Sequence, residues 1–256
     1  MSSNGEDRGS GKPAAPPSAS PAERASSPEV VERAQFRGLL YWPANQQPDQ
    51  PLAAVIALPD PEEGGESLAR VIARLLESGI AVMAIEWGEE PTYPEILAIL
   101  PGAISYLNSL EAIDPERIGV LGVELGADLA LRSASTDPQI KTVLAFAPYL
   151  DMKLVNAGLV TRLRRPQLSN WVRLVEQLAS LAAAQQLARR SVRVVFGAQD
   201  RLVEVAQAAE KLLEAGLQRN GVIQLADAGH DAIILKPEAV ALAQEWFLNE
   251  LRVGRE

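Results

Sequence analysis

Three ionisable residues could carry chemistry in this chain, namely Glu124, Asp200 and His230. Glu124 is the centre of the sequence Gly122-Val123-Glu124-Leu125-Gly126, which stands between an apolar, strand-like run and a segment of helical period. A glycine-flanked turn from strand to helix presents its central side chain at the edge of a sheet. A carboxylate presented in this way can act as a nucleophile or as a general base on water.

His230 is the only histidine in the chain, and it lies in the sequence Gly229-His230-Asp231. An imidazole acts as a base when a carboxylate accepts its Nδ1–H and fixes the ring. Asp200 comes 76 residues after Glu124 and 30 residues before His230, and it is the candidate for that carboxylate. The alternative is structural, in which Glu124 forms an ion pair with His230 or accepts hydrogen bonds from nearby backbone amides.

The composition excludes several classes of site. The chain has no cysteine, which rules out disulfides, thiolate catalysis and zinc–thiolate sites. A single histidine makes a histidine-based metal site implausible, and no glycine-rich phosphate cradle is present. The formal net charge of −9 disfavours binding to nucleic acid or anionic membranes. We therefore expect no metal, cofactor, nucleic acid or membrane among its partners, and a small molecule as substrate or ligand.

The first 30 residues differ from the rest of the chain in composition. They are rich in Ser, Pro, Ala and Gly and contain no apolar core of a secretory signal. Such a segment buries too little apolar surface to offset the entropy of ordering it. We predict a disordered tail over 1–30 and a single domain over 31–256. No apolar run approaches the roughly 20 residues that span a bilayer, and we expect a cytoplasmic location.

Apolar runs of strand length alternate with longer segments of helical period along the domain. Strands are predicted at 36–42, 53–58, 80–85, 117–121, 141–147, 193–196 and 222–225. Helices are predicted at 67–76, 94–110, 125–135, 203–215 and 237–251. Strands that alternate with helices form crossover units, so the pattern predicts a doubly wound α/β domain with a mostly parallel sheet and helices on both faces.

An insertion at 151–190 is too long for an ordinary crossover. Six apolar residues in it fall on one helical face, namely Trp171, Leu174, Val175, Leu178, Leu181 and Ala182. The insertion is also basic, with a net charge of +5 from Lys153, Arg162, Arg164, Arg165, Arg173, Arg189 and Arg190 against Asp151 and Glu176. One interpretation is a crossover helix whose arginines are solvated or pair with the acidic domain. The other is a cap over the site that favours an anionic substrate or binds a protein partner.

The stretch from Asp114 to Gly126 resembles the nucleophile elbow of α/β-hydrolases, and especially of the dienelactone hydrolase family and related small esterases. The resemblance continues through Val143-Leu144-Ala145-Phe146-Ala147-Pro148-Tyr149 and Val194-Val195-Phe196-Gly197-Ala198-Gln199-Asp200, and it closes at Gly229-His230-Asp231. It covers roughly residues 36–252. It implies the α/β-hydrolase fold, with nucleophile, acid and base in the chain order Glu124, Asp200 and His230.

The central residue of the elbow departs from that family, because Glu124 stands where the family has a serine or cysteine. Haloalkane dehalogenases and epoxide hydrolases, which are related enzymes, have an aspartate there that forms an ester intermediate. The resemblance therefore implies a hydrolase of a small ester, lactone or related electrophile with an altered nucleophile, and not an ordinary serine or cysteine hydrolase. The alternative is a catalytically inactive protein of the same fold that binds a small ligand or a protein partner.

The oxyanion hole is a second departure. The resemblance implies one donor at the backbone N–H of Leu125 and another in the loop Leu58-Pro59-Asp60-Pro61. Alignment on the strand end puts that second donor at Pro61, which has no N–H. A shift of one residue would restore a donor at Glu62 or Asp60. Asp60 also falls where dienelactone hydrolases have a glutamate that helps to activate their cysteine.

Overall fold

One mixed sheet forms the centre of the protein. The structure, a computed structural model, describes residues 27–44, 50–61, 64–160, 168–188 and 190–252. Eight strands lie in the order β1-β2-β4-β3-β5-β6-β7-β8. They are β1 (Glu29–Glu32), β2 (Arg37–Tyr41), β3 (Leu52–Leu58), β4 (Ala81–Glu86), β5 (Ile113–Val123), β6 (Thr142–Phe146), β7 (Ser191–Gly197) and β8 (Val222–Leu225). The pairs β1–β2 and β2–β4 are antiparallel, and all other pairs are parallel.

Helices cover both faces of this sheet. They are α1 (Ala69–Glu77), α2 (Tyr93–Asn108), α3 (Leu125–Ala134), α4 (Ala157–Val160), α5 (Leu168–Leu178), α6 (Ser180–Ala184), α7 (Val205–Glu214) and α8 (Pro237–Glu250). Apolar residues of α1 and α8 form the core on one face. Those of α2, α3, α5 and α7 form the core on the other face. The doubly wound, mostly parallel architecture predicted from the sequence is confirmed.

The central strands are buried because helices lie on both sides of them. All residues of β3 after Leu52 are buried, which is typical of a parallel strand inside such a sandwich. Helix α1 is amphipathic instead, and it buries only the stripe of Val71, Ile72 and Leu75 against the sheet. The two periodicities explain why the predicted strands and helices lie within a few residues of the observed ones.

The amino-terminal edge differs from the prediction. Strand β1 (Glu29–Glu32) pairs with β2 at the edge of the sheet, so the boundary predicted between residues 30 and 31 falls inside a strand. Its sequence, Glu-Val-Val-Glu, is too short and too charged to give a strand signal, which is usual for an edge strand. Residues 1–26 of the predicted tail lie outside the described residues. Strand β5 also begins earlier than predicted, at Ile113.

The insertion is helical, but its single predicted apolar face is wrong beyond Leu178. Helix α5 ends at Leu178 and α6 begins at Ser180, because Ala179 adopts a left-handed conformation with φ of 46°. Trp171, Leu174, Val175 and Leu178 are buried as predicted. The break rotates the chain, so Ala182 is exposed and Ala183 is buried instead.

The basic residues of the insertion are only partly described. Arg173 donates a hydrogen bond to Asn170 at 2.6 Å, and Arg190 donates one to the carbonyl of Ile140 at 3.2 Å. The side chain of Lys153 is exposed. The other four, Arg162, Arg164, Arg165 and Arg189, lie outside the described residues. None of the three described cations contacts the candidate catalytic residues in the described part of the chain.

Gly126→Ala should destabilise the fold, because a Cβ at residue 126 would overlap the carbonyl oxygen of Leu58 at the end of β3. Overpacking of this kind costs about 1–3 kcal/mol of the free energy of unfolding. Chemical denaturation measures this loss. The matched control is Gly88→Ala, whose Cβ would have no neighbour within 4 Å. Equal stability of the two variants would contradict the close packing of α3 on β3.

Candidate active site

The order of the strands creates a crevice at the carboxyl end of β3. From β3 the chain crosses to β4 on one side, and it then returns to β5 on the other side. Ligands of open α/β sheets bind at such a reversal, outside the carboxyl ends of the strands. The loop after β3 and the turn after β5 meet here, because the start of α3 packs directly on Leu58.

The turn at 122–126, which we call the elbow, has the strained backbone of a sharp strand-to-helix turn. Glu124 adopts φ of 51° and ψ of −117°, and its N–H donates to the carbonyl of Phe146 at 2.9 Å. A non-glycine residue in such a conformation costs on the order of 1–3 kcal/mol. Gly122 is required as well, because a Cβ there would overlap the carbonyl of Gly126 and the backbone of Ala127.

Asp200 and His230 meet beside the elbow. His230 Nδ1 and Asp200 Oδ2 are 2.7 Å apart. The other carboxylate oxygen of Asp200 accepts hydrogen bonds from the backbone N–H of Leu202 at 2.8 Å and of Val203 at 3.0 Å. These bonds fix the carboxylate, and the carboxylate in turn fixes the ring so that Nε2 faces away from it. The sequence order of Asp200 and His230 therefore corresponds to a contact in space.

The structure also brings Glu124 to this pair, but at a longer distance. His230 Nε2 lies 3.8 Å from Glu124 Oε2, which is beyond a hydrogen bond, and the side chains are only 4% and 1% exposed. Nε2 is buried and has no hydrogen-bond partner among the described residues. The imidazole thus has one nitrogen held by Asp200 and one nitrogen turned towards the elbow.

The electrostatic environment of His230 favours its charged form. Burial of the ring lowers the pKa of His230, but the hydrogen bond to Asp200 and the charges of Glu124, Asp200 and Asp231 raise it by more. The net result is a pKa above the ordinary value of 6.5. The cluster therefore holds an imidazolium between carboxylates at lower pH and a neutral base at higher pH.

Tyr149 is a site residue to which sequence reasoning gave no role. Its hydroxyl donates a hydrogen bond to Glu124 Oε2, and its side chain is completely buried. Its ring lies 4.9 Å from the ring of His230 and makes an edge contact at 4.6 Å with Trp171 of α5. Tyr149 was part of the motif after β6, but a tyrosine that follows a buried strand does not by itself indicate a catalytic contact. The contact with Trp171 shows that the insertion covers the elbow.

Asp128 is the second residue without a predicted role. It lies in α3, one helical turn after Glu124, and its side chain is fully buried. Its carboxylate accepts hydrogen bonds from the backbone N–H of Tyr149 and of Leu150, both at 2.9 Å, and from the hydroxyl of Ser180. Burial raises the pKa of Asp128 to about 6, although these hydrogen bonds and the charge of His230 act in the opposite direction. The sequence does contain a signal for this residue, because Asp128 is a charged residue within the mostly apolar run of α3.

The residues predicted to supply the oxyanion hole are only partly described. Leu125 is the first residue of α3, so its N–H has no acceptor within its own helix. On the opposite side, Asp60 is fully buried, and Trp87 Nε1 donates to the carbonyl of Pro59 at 2.8 Å. Pro61 is the last described residue of this loop. Of the two alternative donors, Asp60 is described and Glu62 lies outside the described residues.

Three side chains in this cluster have the chemistry to ligate a cation. Glu124, His230 and Asp231 each offer one ligand atom, and these atoms lie within 4.8 Å of one another. Two of the three are already engaged, because Tyr149 bonds to Glu124 and Asp200 holds the other nitrogen of His230. Asp231 is exposed at the edge of the cluster.

The arrangement can supply a carboxylate, an oriented imidazole and a backbone donor to one small volume. It is also closed, since Tyr149 lies on Glu124 and Trp171 of the insertion lies on Tyr149. The Glu124 side chain is only 1% exposed in this arrangement. In the described parts of the chain, no helix combines the length and the apolar character that crossing a bilayer requires.

Solved structures show the same fold at low sequence identity. The α/β hydrolase GrgF from Penicillium sp. sh18 has a TM-score of 0.68 and 15% identity over 88% of this chain and 99% of that one. Est1E from Butyrivibrio proteoclasticus has a TM-score of 0.69 and 15% identity over 88% and 99% of the two chains. A 2,6-dihydroxy-pseudo-oxynicotine hydrolase has a TM-score of 0.65 and 19% identity over 88% and 68%. The α/β-hydrolase fold predicted from the sequence is confirmed.

A curated relative covers only a short segment. The acyltransferase drtE of Aspergillus calidoustus is 36% identical over 47 residues, which is 18% of this chain and 15% of the relative. The chain thus spans a small part of that protein, and the likeness does not extend to the protein as a whole.

The family profile covers a much larger part of the chain. Residues 79–231 match the dienelactone hydrolase family, and they include the elbow, Asp200 and His230. This match extends over more than half of the chain. It agrees with the order of the motifs and with the fold, and the chain belongs to the dienelactone hydrolase family.

Proposed function

We propose that the protein is a hydrolase of a small ester, lactone or related electrophile in which Glu124 replaces the usual serine or cysteine. The observation that carries this proposal is the hydrogen bond of 2.7 Å between Asp200 and His230, with the free nitrogen of the ring turned towards Glu124. Burial of this ionisable pair and the backbone strain at the elbow both lower the stability of the folded state. Such a cost is typical of a functional site and has no benefit for folding alone.

Glu124 can act in two ways, which depend on the electrophile. At a saturated carbon, one carboxylate oxygen attacks, and the bond to the leaving group breaks with its electron pair on that group. Water then attacks the carbonyl carbon of the glutamyl ester while His230 Nε2 accepts its proton. The bond to the substrate oxygen breaks, the released alkoxide takes that proton back from His230, and the regenerated carboxyl group of Glu124 loses its proton to solvent. At an ester or lactone carbonyl, Glu124 acts as a general base on water instead, because direct attack would form an unstable anhydride.

The other groups of the site support the same steps. Asp200 stabilises the imidazolium that forms when His230 accepts a proton. In this proposal the N–H of Leu125 is an oxyanion donor, because it belongs to the first residue of α3 and has no acceptor within that helix. The hydroxyl of Tyr149 must leave Glu124 before attack, and it is then a donor for the departing oxygen.

A second candidate function is binding without hydrolysis. It is favoured by the closed site, in which Tyr149 occupies Glu124 Oε2, and by proline at the second oxyanion position. In that case the crevice binds a small ligand, or the basic insertion binds a protein partner. Both candidates use the same fold, and activity measurements separate them.

An activity screen over small esters, lactones, epoxides and haloalkanes should find turnover in the wild type. His230→Ala should lower kcat by about 10²–10⁴-fold on the substrate that is found, since it removes the imidazole that takes up and returns a proton beside Glu124. The matched control is Asp227→Asn, an exposed residue on the loop that precedes His230. A kcat of His230→Ala equal to that of the wild type, or no turnover by the wild type on any of the four classes, would contradict hydrolysis at this site.

Glu124→Gln should lower the pKa of His230, because it removes one of the negative charges that raise it. The ring of His230 gives the only histidine signals of the chain, so its titration can be followed by NMR without further assignment. The wild-type hydrolysis rate should rise with pH through the raised pKa, since only the neutral ring accepts a proton. Asp231→Asn is the comparison, and its smaller effect follows from solvent screening of the exposed carboxylate.

The raised pKa of His230 also makes the stability of the fold depend on pH. Pairing of the charged ring stabilises the fold fully below the unfolded pKa of about 6.5. This contribution is lost as the pH rises through the raised pKa of the folded state. In the NMR titration, a His230 midpoint in Glu124→Gln equal to or above that of the wild type would show that the charge of Glu124 does not raise the pKa of the ring.

Glu124→Ser should create weak esterase activity, because Asp200 and His230 already form a hydrogen-bonded pair beside the elbow. We expect this activity to be low, and the added substitution Pro61→Gly to raise it by roughly 10²-fold, the contribution of one oxyanion donor. Organophosphate labelling measures the new nucleophile. Labelling at the elbow of the wild type would contradict the placement of Glu124, and a folded double variant without esterase activity would favour the binding function.

A further inference from the structure

A carboxylate that the proposed chemistry does not use lies directly behind the elbow. Asp128 is one helical turn beyond Glu124, and its side chain has no exposed surface. It accepts three hydrogen bonds, two from the backbone N–H groups of Tyr149 and Leu150 at 2.9 Å and one from the hydroxyl of Ser180. A buried carboxylate is stable only where such donors replace water. Asp128 therefore fixes the positions of the three groups that donate to it.

The backbone that Asp128 holds is strained. Ala147 and Leu150 adopt φ of 48° and 64°, in the left-handed region that residues with a Cβ enter only when the surrounding structure compels it. The bend at 147–150 lies between β6 and the insertion. Two of the three hydrogen bonds of Asp128 go to N–H groups of this bend, and they stabilise a path that the chain would not adopt by itself.

The bend carries the side chain that closes the site. The hydroxyl of Tyr149 donates to Glu124, and its ring packs between His230 and Trp171. Since the ring is fixed to the backbone of residue 149, the position of that backbone sets the distance between the hydroxyl and Glu124. Asp128 therefore acts on the elbow through Tyr149, without contact with a substrate.

The same carboxylate also ties the insertion to the bend. Ser180 is the first residue of α6, and it follows the left-handed residue Ala179. The N–H of the next residue, Leu181, donates to the carbonyl of Leu150 at 3.3 Å. Two links thus connect α6 to the bend. One runs through the carboxylate of Asp128, and the other is the backbone hydrogen bond from Leu181 to Leu150.

We propose that Asp128 is a positioning residue that holds the bend at 147–150 through the backbone N–H groups of Tyr149 and Leu150, and thereby keeps the Tyr149 hydroxyl on Glu124. The consequence for turnover rests on the function proposed above. In the proposed reaction, a substrate reaches Glu124 only when Tyr149 moves away. The hydrogen bonds of Asp128 to the bend therefore add to the free energy that opening of the site requires. The hold on Tyr149 itself does not depend on that function.

Amide hydrogen exchange and NMR of the full chain test this proposal with Asp128→Asn. The amide side chain has one acceptor oxygen in place of two, so a backbone N–H of the bend loses its acceptor. The amides of Tyr149 and Leu150 should exchange at least about tenfold faster than in the wild type. The ring resonances of His230, the single histidine, should shift as well, because the Tyr149 ring that lies 4.9 Å away changes position.

Two variants serve as matched controls. Tyr149→Phe keeps the ring and the backbone, so the amides of residues 149 and 150 should stay protected. Ser180→Ala removes only the hydroxyl that Asp128 accepts from α6, and it should leave those two amides and the His230 resonances close to wild type. If Ser180→Ala moves the His230 resonances as far as Asp128→Asn does, the hold acts through α6 and the proposal is overturned.

The wild type supplies a measurement that needs no variant to fold. The amides of Tyr149 and Leu150 lie outside any strand, and slow exchange at both supports the hold while exchange at the rate of an unprotected loop overturns it. A folded Asp128→Asn with wild-type protection and wild-type His230 resonances also overturns it. Absence of turnover in the wild type would remove the proposed function and its consequence for opening, whereas the exchange and NMR results decide the hold on Tyr149 in either case.

Discussion

A carboxylate or an imidazole is stable inside a protein only where hydrogen bonds or opposite charges replace the lost water. The carboxyl end of this sheet obeys that constraint in three different ways. Asp200 takes two backbone N–H groups and the ring of His230, and Asp128 takes two backbone N–H groups and a serine hydroxyl. Glu124 takes the hydroxyl of Tyr149. The need to supply these hydrogen-bond donors therefore determines the conformation of the loops around the site.

The same constraint explains why the elbow residue changes the character of the site. A serine or cysteine at the elbow is a small neutral group, whereas glutamate adds a charge that must be compensated in a buried position. The hydroxyl of Tyr149 provides a hydrogen bond to that charge, and its ring then lies over the carboxylate of Glu124. The hydrogen bond between Asp200 and His230 lies beside this closed contact, so the oriented imidazole and the covered carboxylate share one buried volume.

Much of the architecture could be predicted because it rests on local periodicity. Strands buried on both faces and amphipathic helices leave clear patterns, and the order of Glu124, Asp200 and His230 follows from the chain order of the fold. What could not be predicted depends on contacts between distant segments. Tyr149 and Asp128 gain their roles only when α3 packs under the bend at 147–150. The break at Ala179 and the short, charged strand β1 have no periodic signal, since tertiary contacts compel the first and the sheet edge stabilises the second.

The burial of His230 Nε2 has a kinetic consequence. A nitrogen without solvent contact or hydrogen-bond partner in the described structure cannot exchange its proton with bulk water until the surrounding side chains part. The ring would then equilibrate with the pH of the solution no faster than the side chains packed around Nε2 move, and the Tyr149 ring is one of them. The rate of proton uptake by this single imidazole therefore reports how often the packing around the elbow opens to solvent.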